Sequence, residues 1–173
     1  YRHACAQSTK VIALMGGRSF FSNGIHLHVI EAARDSAAES WANIHAINDL
    51  VRDIIETPSH LVIAALRGNG GAGGAMMALA SDRVFARDGV VLNPHYSGMG
   101  GLFGSEYWTY TLPRRVGART SLELTEGRLT ISARYASDLG FLDDCFGHDI
   151  VEFEAETVRR AEELARRPDF RHL

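Results

Sequence analysis

Two glycine-bearing loops carry the residue types that could do chemistry. The richer is RGNGGAGG at 67–74, between an apolar run at 61–66 and a short helical stretch. Glycines there let a ligand approach the main chain, and the helix start turns N–H groups toward negative charge. Gly68, Gly70 and Gly73 satisfy GxGxxG, and Asp88 lies twenty residues after Gly68. That spacing spells an NAD-type dinucleotide fingerprint. Two features oppose it. The helix that follows is short for a Rossmann crossover, and the motif follows the second visible strand rather than the first. A purely structural glycine turn is the plain alternative. The second loop, GRSFFSNGIHL at 17–27, also follows a buried-strand pattern. Two strand-to-loop units that each offer N–H groups beside a glycine can together form an oxyanion hole, worth about 3–4 kcal/mol of transition-state stabilisation per donor.

Other candidates carry less. His26, His28 and His45 invite a metal reading, but no second ligand cluster has zinc-like spacing, so no metal is expected. Arg18 sits beside the first loop, where it could meet a phosphate. Trp41, Trp108, Tyr107 and Tyr110 are expected in the core rather than on a nucleic-acid platform. Arg159, Arg160, Arg166 and Arg167 read as a solvated helix face.

The elements that must position these loops follow from periodicity. Residues 11–15 form a short apolar run ended by Gly16 and Gly17, which predicts a buried strand, with a loop from Gly16 to about Leu27. Ser36 and Glu39 have capping-box spacing. Trp41, Ile44, Ile47, Val51 and Ile54 then give one apolar helix stripe, stopped at Thr57-Pro58. Residues 61–66 predict a second buried strand, 67–74 a turn and 74–81 a short helix. Strands are expected at 83–86 and 90–92, around the Asp88-Gly89 turn. An irregular glycine-rich stretch covers 93–104 and a helix 105–112, punctuated by Pro113 and Gly117. Further helices are expected at 118–126, from the Ser132 cap to Gly140, and at 151–166, with a strand at 141–145. Strands alternating with helices imply an α/β class with mainly parallel pairing.

Bulk properties bound the function. The 173 residues suit a single domain, 46% hydrophobic and 23% charged, which is ordinary globular composition. A net charge of −3 gives no argument for nucleic acid or an anionic membrane. No apolar run approaches the roughly 20 residues needed to span a bilayer, and residues 1–10 lack the apolar centre of a signal peptide. Cys5 and Cys145 lie far apart in no zinc or CxxC pattern, which suggests a reducing, cytoplasmic setting. The first residue is not Met, and the expectation is a piece of a longer chain.

Motif order sharpens this reading. Strand, FSNGIHL, helix, strand, GNGGAGG, helix and SDRVFA resemble the enoyl-CoA hydratase/isomerase (crotonase) superfamily over nearly the whole chain, through LPRRVG at 112–117 and onward to residue 142. The resemblance implies a ββα spiral fold whose first strands would precede Tyr1. It implies that Ile25 and Gly73 supply the oxyanion N–H groups, and that an acyl-coenzyme A binds against Ser22, Asn23, Gly24 and Gly74, with Arg18 near a coenzyme A phosphate. The two water-activating glutamates of the hydratases fall on Met76 and His95. Met76 cannot move a proton, so ordinary enoyl-CoA hydration is not expected. His95 has the chemistry of an acid or base, or of a hydrogen-bonded loop histidine.

The segment VVLNPHYSGMGGLFGSEYWTY at 90–110 is unusual for a crotonase. It is similar to the crotonase-like half of the HypX (HoxX) family of hydrogenase maturation proteins. That resemblance implies a formyltransferase-like half in the same chain, hydrogenase maturation partners, and release of carbon monoxide from formyl-coenzyme A. It implies Glu106 as proton carrier with Tyr96 beside it. The rivals are a generic crotonase on another acyl-CoA, a non-catalytic docking module for hydrogenase assembly, and the NAD-binding domain.

Overall fold

The computed structural model describes residues 1–96 and 103–170. Residues 97–102, the middle of the unusual glycine-rich segment, lie outside that description.

The chain lays its eight described strands into two four-stranded sheets. The first has the order β1 (Val11–Leu14), β3 (Leu61–Leu66), β5 (Arg83–Arg87) and β8 (Asp144–Phe146), all parallel. The second has the order β2 (Phe20–Ser22), β4 (Asn69–Gly71), β6 (Val91–Asn93) and β7 (Ile131–Ser132), parallel except for the antiparallel β6–β7 pair. β1, β3 and β5 each hand the chain to the second sheet, at β2, β4 and β6, and helices carry it back to the first sheet after β2, β4 and β7. This is the ββα spiral of an α/β crotonase fold.

The apolar runs explain the first sheet. All six residues of β3 are buried, as a parallel strand covered on both faces requires. Leu61, Ile63 and Ala65 point with Phe85 toward Phe153 of α8 (Ile150–Arg166). Ala64 and Leu66 point the other way, into the main core. There they meet Phe21 of β2, Leu92 of β6, Met76 of α4 (Gly73–Ala78) and Leu112 of α5 (Trp108–Val116). Among the described residues no helix is long and apolar enough to cross a membrane.

Several expectations need correction. Residues 17–27 are not all loop: β2 forms at Phe20–Ser22, and α2 (Leu27–Ala32) starts at the far end. The 67–74 turn contains β4. The first ten residues include a short helix, α1 (Arg2–Cys5), before β1. Asp35, not Ser36, caps α3 (Ser36–Ile55), accepting the Ala38 N–H at 3.0 Å. Trp41 stands 67% exposed and stacks edgewise on His45, so only the C-terminal half of the α3 stripe, with Val51 and Ile54, is deeply buried. Tyr107 and Tyr110 are exposed as well, whereas Trp108 is buried.

The expected 105–112 helix is displaced. It starts at Trp108 and continues through Pro113 to Val116, the proline forgoing the one i→i−4 hydrogen bond that would have reached Thr109. A two-residue strand, β7, leads into α7 (Ala133–Asp138) through the Ser132 cap. The last strand shifts from 141–145 to 144–146. Phe141 and Leu142 close α7, both giving their N–H to the Ala136 carbonyl, after Gly140 turns at φ +81°. Between α5 and α7, α6 (Ala118–Glu126) has the predicted bounds.

Candidate active site

The two glycine loops meet main chain to main chain. Gly24, at φ +88°, lies so close to the start of α4 that a Cβ there would stand 3.2 Å from both N and Cα of Gly73. A Cβ on Gly74 would collide with the Ser22 carbonyl oxygen at 2.0 Å. Only glycine permits this approach. Among the described residues no hydrogen bond engages the Ile25 N–H. None engages that of Gly73 either, which as the first residue of α4 has no partner within the helix. Ser22 steadies the first loop by accepting the Gly24 N–H on its hydroxyl at 3.1 Å. Asn23 Oδ1 lies 3.0 Å from where a Cβ on Gly71 would stand.

A buried carboxylate faces this junction. Glu106 is 3% exposed, and a Cβ on Gly73 would fall 2.2 Å from its Oε1 and 3.0 Å from its Oε2. The Tyr96 hydroxyl donates to Oε2 at 2.8 Å, and the Ser105 N–H approaches the same oxygen at 3.2 Å. The Tyr96 ring packs flat against Gly104, whose φ of +86° and missing side chain make room for it. Burial, then the charge of Glu106 and the hydrogen bond to it, push the Tyr96 phenol well above the ordinary tyrosine range. Tyr96 therefore remains a donor. The Glu106 N–H donates to Asn48 Oδ1 at 2.8 Å, reaching back to α3. Asn48, Glu106 and residues 103–105 and 107–109 line an open recess of about 220 Å3.

Backbone strain gathers here. Among the described residues the non-glycine positions with positive φ are Ala72 (+45°), Glu106 (+54°) and Tyr107 (+54°). All three adjoin the Gly73–carboxylate contact. Such conformations cost on the order of 1–3 kcal/mol each and persist only where surroundings impose them. Ala72 is held by its own N–H to the Asn93 carbonyl at 2.7 Å, while its carbonyl accepts from Ala75 and Met76.

The remaining candidates are dispersed around the junction. His95 is buried, and among the described residues its Nδ1 has no hydrogen-bond partner, nor does Asn93 Oδ1, two residues earlier at the end of β6. Met76 is fully enclosed in the apolar core. Arg18 stands exposed on the approach to β2. His26, His28 and His45 are exposed. His26 caps α2, and among the described residues no three His, Cys, Asp or Glu side chains cluster to hold a metal. The GxGxxG geometry fails: β4 intervenes between β3 and α4, so the glycines form no tight strand-to-helix turn. Asp88, the expected ribose partner, accepts from Arg134 at 2.8 Å. Sequence reasoning missed Asn43 and Asn48, which nothing marks on a polar helix face. It also missed Ala72, whose signal is its place between the glycine pair that ends β4 and the glycine pair that starts α4.

The likenesses to known proteins agree with this architecture. The family model described as enoyl-CoA hydratase/isomerase matches residues 3–171. The hydrogenase maturation factor HoxX of Bradyrhizobium diazoefficiens is 52% identical over 143 residues, covering 83% of this chain and 25% of that protein. The crystal structure of HypX from Aquifex aeolicus in complex with tetrahydrofolic acid superposes with a TM-score of 0.95 at 46% identity, over 98% of this chain and 30% of that one. A 4-chlorobenzoyl coenzyme A dehalogenase of an Arthrobacter species is 28% identical over 174 residues, covering 97% of this chain and 60% of that one. The chain thus spans about a quarter to a third of the length of the HoxX and HypX proteins it matches.

Proposed function

Because the chain belongs to the enoyl-CoA hydratase/isomerase family, which acts on acyl-CoA thioesters, we propose that it cleaves formyl-coenzyme A to carbon monoxide and coenzyme A. In this reading it is the crotonase-like domain of a cytoplasmic hydrogenase maturation factor. A formyltransferase-like part of a longer chain supplies the thioester, and hydrogenase maturation proteins receive the product. The observation that carries the reading is the Glu106 carboxylate, held by Tyr96 and set against Gly73 between the two glycine loops.

The chemistry asks for little else. The formyl oxygen accepts from the Ile25 and Gly73 N–H groups, which stabilise the charge that grows on it. Ser22, Asn23, Gly24 and Gly74 line the thioester, and Arg18 meets a phosphate of the coenzyme. The Glu106 carboxylate takes the formyl hydrogen as a proton. The carbon–sulfur bond breaks with its electron pair going to sulfur, and the C–H pair remains on carbon as the lone pair of carbon monoxide. The carboxylic acid then returns its proton to the thiolate, so the carboxylate is regenerated and atoms and charge balance. Tyr96 keeps the carboxylate in place by donating to the oxygen that does not carry the proton. Met76 in the apolar core leaves no second carboxylate to activate water, which favours decarbonylation over hydration.

Glu106→Gln keeps the shape and removes the proton carrier. Carbon monoxide formation, measured with a haem reporter, should fall at least ~10²-fold, while coenzyme A affinity by calorimetry stays near the parent value. Parent-rate carbon monoxide release by Glu106→Gln would transfer the role to another group, with His95 next in line. A parent protein that leaves formyl-CoA intact would refute the reading altogether.

A further inference from the structure

Helix α3 reaches both walls of the candidate site with asparagine side chains. Asn43 Oδ1 accepts the N–H of His26 at 3.1 Å, next to Ile25 in the first loop. Its amide nitrogen is turned away, donating to the Glu39 carbonyl at 3.1 Å and to Glu39 Oε1 at 2.9 Å, so the oxygen is committed to the loop. Asn48 Oδ1 accepts the N–H of Glu106 at 2.8 Å, across 58 residues of sequence. The two asparagines are separated by roughly 7.5 Å of rise on one rigid helix. A single element thereby grips the main chain beside the proposed oxyanion donor and at the proposed proton carrier.

The Asn48 contact is made where the main chain most needs it. Glu106 and Tyr107 both hold φ +54°, and the Tyr107 side chain makes no capping hydrogen bond to α5. Two successive left-handed non-glycine residues relax unless an outside contact holds them. Inside the segment the Trp108 N–H reaches the Ser105 carbonyl at 3.2 Å, but among the described residues only Asn48 ties the Glu106 N–H to another element. Released, the turn would rotate the carboxylate off Gly73 and away from the Tyr96 hydroxyl.

We propose that Asn48 is a positioning residue that holds the Glu106 carboxylate in register with the first loop, which Asn43 holds from the same helix. The proposal rests on the reading of Glu106 as proton carrier. It assigns no contact with substrate to either asparagine.

The test is a cycle of variants with two readouts. Asn48→Ala should lower kcat for carbon monoxide release about 10- to 100-fold with KM nearly unchanged, the scale expected when a reacting group is misplaced by about an ångström. Asn48→Asp restores the acceptor and should recover at least about tenfold of that loss. Its added negative charge should also move the acidic limb of the kcat–pH profile to higher pH, a change that simple loss of structure would not produce. In a Glu106→Gln background, Asn48→Ala should cost nothing further, because it acts only through Glu106. Crystal structures of Asn48→Ala and Asn48→Asp supply the readout without turnover. In the alanine variant the Tyr96–Glu106 contact should open beyond hydrogen-bonding distance, and in the aspartate variant it should persist. An alanine variant that keeps that contact and the parental kcat overturns the proposal, as does an equal loss in the Glu106→Gln background. If the parent releases no carbon monoxide but the alanine variant shows the opened contact, the proposed reaction fails and the positioning role stands.

Discussion

Placing a methyl group on Gly73 tests the contact at the centre of the site. The Gly73→Ala Cβ would stand 2.2 Å from Glu106 Oε1 and 2.6 Å from Cδ, whereas ordinary contact begins at 3.4 Å. The carboxylate must therefore retreat by at least 3.4 − 2.2 = 1.2 Å. Retreat pulls the buried carboxylate off the 2.8 Å hydrogen bond that Tyr96 donates to its other oxygen. Losing a buried hydrogen bond to a charged group costs about 1.5–3 kcal/mol. Alanine returns about 0.5–1 kcal/mol over glycine in a helix. The net expectation is a loss of about 1–2 kcal/mol, read as a lower urea midpoint at unchanged slope. In a Glu106→Ala background the obstacle is gone, and Gly73→Ala should be neutral or slightly stabilising. The cycle should then give a coupling of about 2 kcal/mol between positions that lie 33 residues apart in sequence. Carbon monoxide release by Gly73→Ala should fall at least ~10²-fold, since both the carboxylate and a neighbouring N–H are disturbed. An equal stability cost in the two backgrounds, or none in the parent, would refute the assignment of Glu106 to this junction.

Other outcomes follow from the same geometry. Ala72 holds φ +45° and ψ −124°, so Ala72→Gly should raise unfolding free energy by about 0.5–1 kcal/mol once glycine's chain entropy is subtracted from the relieved strain, with denaturant titration as the check. The Tyr96 phenol is raised in the folded state, so the unfolded chain ionises first. Its contribution to stability is complete below about pH 10 and falls as pH rises above it, by up to roughly 1.4 kcal/mol per pH unit, and Tyr96→Phe should flatten that decline. Crotonyl-CoA should not be hydrated at a useful rate, because a buried thioether occupies one glutamate position. Sustained loss of enoyl absorbance with the parent protein would contradict this.

Much of the scaffold was legible in the residues because it rests on local signals. The continuous apolar run at 61–66 could only be a strand buried on both faces, and the α6 bounds and the α8 periodicity were readable from turn and cap residues. The motif order likewise carried the crotonase resemblance. What escaped were β2, β4 and β7, of two or three residues each, two of them in segments rich in glycine or serine. Strands that short have no periodicity of their own. They exist because neighbours paired from distant sequence, as Phe20 is with Asn69 and Leu92 with Ile131, satisfy their main-chain groups.

The site divides in the same way. Glycines at 24, 73 and 74 announced close main-chain approach, since no other residue tolerates it. That Glu106 ends against Gly73, that Tyr96 donates to it, and that Asn48 grips its N–H were decided only when α3, the second sheet and the turn before α5 packed together. Trp41 shows the converse: its spacing fits an apolar stripe, yet the core closes against the C-terminal half of α3 and leaves it exposed. Propensity and periodicity act over a few residues. Contact between residues 33 or 58 positions apart is fixed by how the sheets and helices fill space, and that is set by the packed core.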